Sequence, residues 1–153
     1  MTPVSSPTSL LRGGEWLLRA TDPAAVFTPE RKTDEHRLIG QTVADFVRDE
    51  VLPVLPQLEA KDWVLSRTLL QRCAQLGVLG VDVAEAYGGL DLDKVTSIIV
   101  SEQMSRSASF GATFGAHANL VILPISLFGT EAQKRQYLPA LLAGDLVGGY
   151  CLS

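Results

Sequence analysis

At 153 residues, 46% hydrophobic and 20% charged, the chain is long enough for one buried core and has the balance of an ordinary globular protein. Its net charge of −4 and the lack of a Lys/Arg-rich block argue against nucleic acid as a partner, because phosphates demand a basic face. Cys73 and Cys151 fit no metal or redox spacing and read as free thiols in a reducing compartment.

Residues 1–32 are rich in Ser, Thr and Pro and carry no sustained periodicity. They lack the basic start and unbroken apolar stretch of a signal peptide and read as a leader that docks or is partly disordered. From Thr33, Ile39, Val43, Phe46, Val47 and Val51 fall on one face of a helix that Pro53 and Pro56 end or kink. A second helix is predicted over 66–76, capped by Ser66, with Leu69, Leu70, Cys73 and Leu76 buried and Gly77 just past its end. The loop "GVLGVDVAEAYGGLDLD" follows, and Asp91 or Asp93 caps a third helix in which Val95, Ile98, Ile99 and Glu102 share a side.

The 24 residues between Arg106 and Glu131 carry no formal charge and include Gly111-x-x-x-Gly115, a helix-contact spacing known from membrane spans. Ser107, Ser109, Thr113, His117, Asn119 and Pro124 interrupt the apolar run, which favours two buried helices, or one broken near Pro124, over a transmembrane segment. A last helix opens on the capping box Thr130-Glu131-Ala132-Gln133 and stops at "AGD". Val147 to Ser153 then read as the opening of a β-strand. The fold class is therefore all-α: a bundle of five or six helices over 33–146, followed by the first strand of a β domain over 147–153.

No G-x-G-x-x-G, P-loop or G-x-S-x-G motif occurs, and His36 and His117 have no partner at metal-ligand spacing. His36 falls on the polar side of the first helix and is expected to be solvated. His117, set in "FGAHANL", reads as a buried histidine or a ligand-facing one. Asp49 and Glu50 point apart on their helix and make no acid–base pair. The small face Gly111, Ala112, Gly115, Ala116 and Ala118 suits either close helix packing or an acyl chain. Catalytic residues and metal ligands are expected to be absent.

Particular stretches nevertheless resemble the N-terminal half of the acyl-CoA dehydrogenases: Glu85-x-Tyr87-Gly88-Gly89, then Phe128-Gly129-Thr130, Gln133-Lys134-x-x-Tyr137-Leu138-Pro139, Gly144-Asp145 and Tyr150-Cys151-Leu152-Ser153. "FGAH" with "GTEAQKRQYLPALLAG" is most similar to the long- and very-long-chain branch. The resemblance covers residues 35–153. It implies an N-terminal piece of an FAD enzyme that oxidises fatty acyl-CoA to trans-2-enoyl-CoA and passes electrons to an electron-transfer flavoprotein. It further implies FAD contacts at Tyr150, Cys151, Leu152 and Ser153, an acyl tunnel bordered by Phe110, Phe114, His117 and Leu120, and a homo-oligomeric parent enzyme. The family's catalytic glutamate lies downstream and has no counterpart here, so the piece alone is expected to be inactive. Bacterial cytoplasm and mitochondrial matrix both suit the family. An acyl-CoA oxidase or flavin hydroxylase scaffold, or a non-catalytic helical module that assembles with a partner chain, are the alternatives.

Overall fold

The computed structural model describes residues 14–18 and 20–152. The expected leader lies partly outside these residues; within it, short 3-10 turns form at Glu15–Leu17, Pro23–Ala25 and Pro29–Arg31. Residues 1–35 make one unit and residues 36–153 another, and the second carries the helical core.

Helix α1, Asp34–Phe46, continues through a widened turn at Val47–Val51 and a 3-10 turn at Leu52–Val54 into α2, Leu55–Glu59. In the widened turn the Leu52 N–H reaches back five residues to the Val47 carbonyl. The reason is Pro53, which has no N–H and whose ring would strike the carbonyl four residues earlier in a regular helix. The expected stripe is buried: Val43, Phe46, Val47 and Val51 are core residues, and Ile39 packs against them.

Helix α3, Trp63–Gln75, begins three residues before the expected start, because Asp62 rather than Ser66 is its cap. The Asp62 carboxylate accepts from the Leu65 N–H at 2.9 Å, while the Ser66 hydroxyl donates to the Asp62 carbonyl from within the helix. At the other end Gly77 takes φ +73°, and the Gly77 and Val78 N–H groups bond back to the Ala74 and Cys73 carbonyls. Arg72 grips Glu50 with two hydrogen bonds of 2.9 and 3.0 Å, holding the Glu50 carboxyl below its usual range and tying α3 to the widened turn. Burial pushes the Cys73 thiol well up, which leaves it unreactive.

Helix α4, Lys94–Met104, is capped by Asp93, whose carboxylate accepts from the Thr96 N–H and hydroxyl at 2.8 and 2.9 Å. Both Asp93 oxygens also accept from His36 Nε2, each at 3.1 Å, and His36 is buried rather than solvated. Burial raises the Asp93 carboxyl, but Thr96 and His36 outweigh it and hold the group below the usual carboxylate range. Its contribution to stability is therefore present at neutral pH and is lost as pH falls through that depressed value. Asp93→Ala is expected to lower stability by about 1–2 kcal/mol, whereas Asp93→Asn, still a good cap, loses less. Urea midpoints at unchanged slope check this ranking. The buried side of α4 is Thr96, Ser97, Ile99, Val100 and Met104, not the expected Val95, Ile98, Ile99 and Glu102 face. Ile99 is 4% exposed and Ile98 62%.

The uncharged stretch forms α5, Ala108–His117, and α6, Leu123–Phe128, joined without a gap by a widened turn at Ala118–Ile122, so the expected interruption near Pro124 is a change of helical pitch within one run. The Leu123 N–H bonds to the Ala118 carbonyl directly ahead of Pro124, repeating the device used before Pro53. By length and composition alone this run could cross a bilayer, yet Phe110, Phe114, His117, Ala118 and Ile122 are buried in the helical core. Helix α7, Glu131–Leu142, carries the expected reciprocal capping box between Thr130 and Gln133. Tyr87 donates to both Glu131 carboxylate oxygens at 2.9 and 2.8 Å and so fastens the 85–89 loop to the start of α7.

No strand forms among the described residues. Of the stretch expected to open one, 147–153, the described residues 147–152 follow α7 without regular secondary structure, and no strand lies beside them among the described residues to complete a ladder.

Candidate functional site

The end of α7 positions the tail. Gly144 takes φ +73°, its N–H bonds to the Leu141 carbonyl at 3.2 Å, and the Asp145 and Leu146 N–H groups both bond to the Ala140 carbonyl. A left-handed residue here turns the chain off the helix without stranding the last-turn carbonyls. Gly148 then lies against the widened turn: a Cβ on it would meet Val121 Cγ1 at 2.5 Å. Gly149 has nothing within 4 Å of a Cβ position, and Tyr150, Cys151 and Leu152 are exposed. The backbone groups of Gly149 to Leu152 make no hydrogen bond among the described residues. Ser153, the fourth residue expected to touch FAD, lies outside the described residues.

His117 joins this tail to the bundle. Its ring is fully enclosed; Nε2–H donates to the Leu141 carbonyl at 3.0 Å and Nδ1 accepts from the Gly148 N–H at 3.1 Å. One donor and one acceptor define the neutral Nε2–H tautomer. Burial pushes the imidazole below its ordinary pKa against the weaker pull of the Leu141 carbonyl, which keeps that neutral form at physiological pH.

The four residues expected along an acyl chain do not converge. Phe110 and Phe114 lie in the core, at 1% and 3% exposure, and His117 is enclosed with both nitrogens engaged. Leu120, within the widened turn, is 49% exposed. Phe114 does border an open groove of about 240 Å³ between α4 and α5, formed with Ser101, Met104, Ser105, Ser107, Ala108, Gly111, Ala112, Gly115 and Asn119.

Its floor divides the roles of the two spaced glycines. A Cβ at Gly111 would sit 2.8 Å from the Met104 carbonyl oxygen, so this glycine permits backbone contact. At Gly115 the nearest atom would be Asn119 Nδ2 at 4.0 Å, so this one keeps the groove open. The small face was visible in the sequence. Ser101 and Met104 were not, because they come from α4, whose inward side periodicity did not identify. No cluster of three or more His, Cys, Asp or Glu side chains suited to a metal occurs among the described residues.

Residues 33–145 match the acyl-CoA dehydrogenase N-terminal domain family. A probable acyl-CoA dehydrogenase of Bacillus subtilis (strain 168) is 41% identical over 142 residues, which cover 93% of this chain and 24% of the relative. Mitochondrial isovaleryl-CoA dehydrogenase of Pongo abelii is 34% identical over 123 residues, 79% of this chain and 29% of that protein. Among solved structures, the acyl-CoA dehydrogenase complexed with FAD from Bacillus anthracis aligns with a TM-score of 0.84 at 44% identity, over 90% of this chain and 24% of that one. The chain thus spans only 24% to 29% of the length of these curated relatives. With the family model matched across most of the chain and relatives above 30% identity that cover it, the chain belongs to the acyl-CoA dehydrogenase family through its N-terminal helical domain.

Proposed function

We propose that this chain is the N-terminal part of an FAD-dependent dehydrogenase that oxidises fatty acyl-CoA to trans-2-enoyl-CoA, and that its tail holds one edge of the flavin. The carrying observation is the open run Gly149–Leu152, whose backbone donors and acceptors are unengaged among the described residues, next to a helical domain of this family. The fit to FAD is chemical: the backbone N–H and C=O groups along 149–152 can complement the donor and acceptor edge of a planar heterocycle, and Gly149, with no side chain, lets it approach closely. Gly149, Tyr150, Cys151, Leu152 and Ser153 would hold the cofactor, which when bound accepts the hydride from the substrate.

The chain's own part in the reaction is positioning. Hydrogen bonds from the tail would orient the flavin edge and favour negative charge on it. The groove beside Gly115 is apolar on its Met104 and Phe114 side and takes the acyl group; Phe110 supports that wall from within the core. Electrons leave to an electron-transfer flavoprotein, and the parent enzyme is a homo-oligomer in the bacterial cytoplasm or mitochondrial matrix. A second reading, a helical module completed by a partner chain, draws on the exposed apolar face of Pro124, Ile125, Phe128 and Tyr137, where Phe128 is 85% exposed.

The test is FAD titration of the 153-residue chain alone and of the same chain joined to the remaining part of a relative's chain. Flavin absorbance bands, bleached by long-chain acyl-CoA, are expected only in the joined protein. A joined protein that folds but retains no flavin would overturn the redox reading in favour of the module.

A further inference from the structure

His117 is the last anchor before the open run. Upstream, the Asp145 and Leu146 N–H groups are held by the Ala140 carbonyl; Gly148 is held by His117; beyond it Gly149 to Leu152 bond to nothing among the described residues. Only Gly149 lies between Gly148 and Tyr150, a reach of at most roughly 7 Å of chain. The Gly148 amide is therefore the nearest fixed point from which the residues that follow take their position.

The ring is suited to this duty in a way other side chains are not. Its two nitrogens sit at fixed separation on a rigid plane, one donating to the end of α7 and the other accepting from the tail. The Leu141 carbonyl it bonds also accepts from the Gly144 N–H, so the ring leans on the turn that launches the tail. Donation from Nε2–H to a carbonyl at the negative end of a helix makes Nδ1 a better acceptor. Gly148 allows the backbone to come this close, since any side chain there would strike Val121.

We propose that His117 is a positioning residue which, as its Nε2–H tautomer, clamps the Gly148 amide to the end of α7 and thereby sets where Tyr150–Ser153 meet the flavin. This rests on the flavin reading above. His117 touches neither flavin nor substrate in this role.

Two measurements test it. In the 153-residue chain, long-range 1H–15N spectra should show a neutral Nε2–H imidazole with scalar coupling between Nδ1 and the Gly148 nitrogen. An Nδ1–H tautomer overturns the clamp without need of any variant. In His117→Phe the Gly148 amide should exchange roughly tenfold faster or more while the Leu70 and Leu138 amides keep their protection, and His117→Gln, which offers both a donor and an acceptor, should recover part of the effect.

In the holoenzyme, His117→Phe should weaken FAD roughly tenfold and alter the visible circular dichroism of the bound flavin, with His117→Gln intermediate. Unchanged Gly148 exchange overturns the clamp and leaves the flavin reading standing. Faster exchange with unchanged FAD affinity and spectrum overturns the positioning role. A joined wild-type protein that folds but takes up no FAD overturns the flavin reading, and the inference falls with it.

Discussion

Phe110→Ala is expected to destabilise the helical domain by about 3–5 kcal/mol. Phe110 is 1% exposed and sits in the first turn of α5, where its ring meets the edge of Phe46 from α1 at 6.3 Å between centroids and 60° between planes. Truncation removes the apolar surface buried there, leaves a cavity that the neighbouring helices can only partly close, and ends an aromatic pair with its own favourable geometry. A loss of that size is a large fraction of the roughly 5–15 kcal/mol by which domains are stable. Urea unfolding followed by far-UV circular dichroism reads it directly. Ile98→Ala, on the exposed side of α4, serves as the comparison and is expected to change stability by about 0.5 kcal/mol or less. Equal losses from the two substitutions would show that Phe110 is not part of the core.

The second large effect belongs to the glycine pair of the 85–89 loop, where the two positions are glycine for different reasons. Gly88 takes φ +95°, a conformation that costs other residues roughly 1–2 kcal/mol. Gly89 needs no unusual φ, but a Cβ there would lie 2.0 Å from the Val83 carbonyl oxygen and 2.5 Å from its carbon. That oxygen cannot simply retreat, because it accepts from the Asp91 N–H at 2.9 Å. The neighbouring bonds from Leu90 to Gly80 and from Leu92 to Val81 hold the loop to the same path. Gly89→Ala is therefore expected to lower stability by about 3 kcal/mol, at the upper end of overpacking effects, and Gly88→Ala by less. Thermal and urea midpoints of the two variants, measured side by side, should fall in that order; a greater loss from Gly88→Ala would assign the pair to conformation alone.

These effects bear on the proposed site through the same elements. Phe110 sets the depth at which α5 sits and hence the wall that Phe114 presents to the groove. Tyr87, next to the glycine pair, holds the start of α7, and the end of α7 launches the tail. Loss of the core contact or of the loop should therefore weaken flavin retention in the holoenzyme as well as stability.

Much of this architecture was legible in the order of residues, and what was legible shares one physical cause. Helix stripes, the Thr130–Gln133 capping box and the left-handed Gly77 all rest on interactions within about four residues along the chain. Pro53 and Pro124 announced an interruption of their helices, although not that each would be absorbed by a widened turn ending two residues upstream. Family membership was equally plain, because punctuated glycines, prolines and aromatics keep their spacing whatever packs around them.

The rest depends on groups far apart in sequence. His36 looked solvated by helical phase, yet its partner Asp93 stands 57 residues away. The inward face of α4 was missed because Thr96 and Ser97 are buried there, Thr96 with its hydroxyl satisfied by Asp93, while the more apolar Ile98 faces out. His117 and Gly148 lie 31 residues apart, and nothing local marks one as acceptor for the other. Local spacing determined where the helices start, turn and stop; which face each one buries, and where the tail is held, were decided only when packing brought distant donors and acceptors out of water and made each of them find a partner.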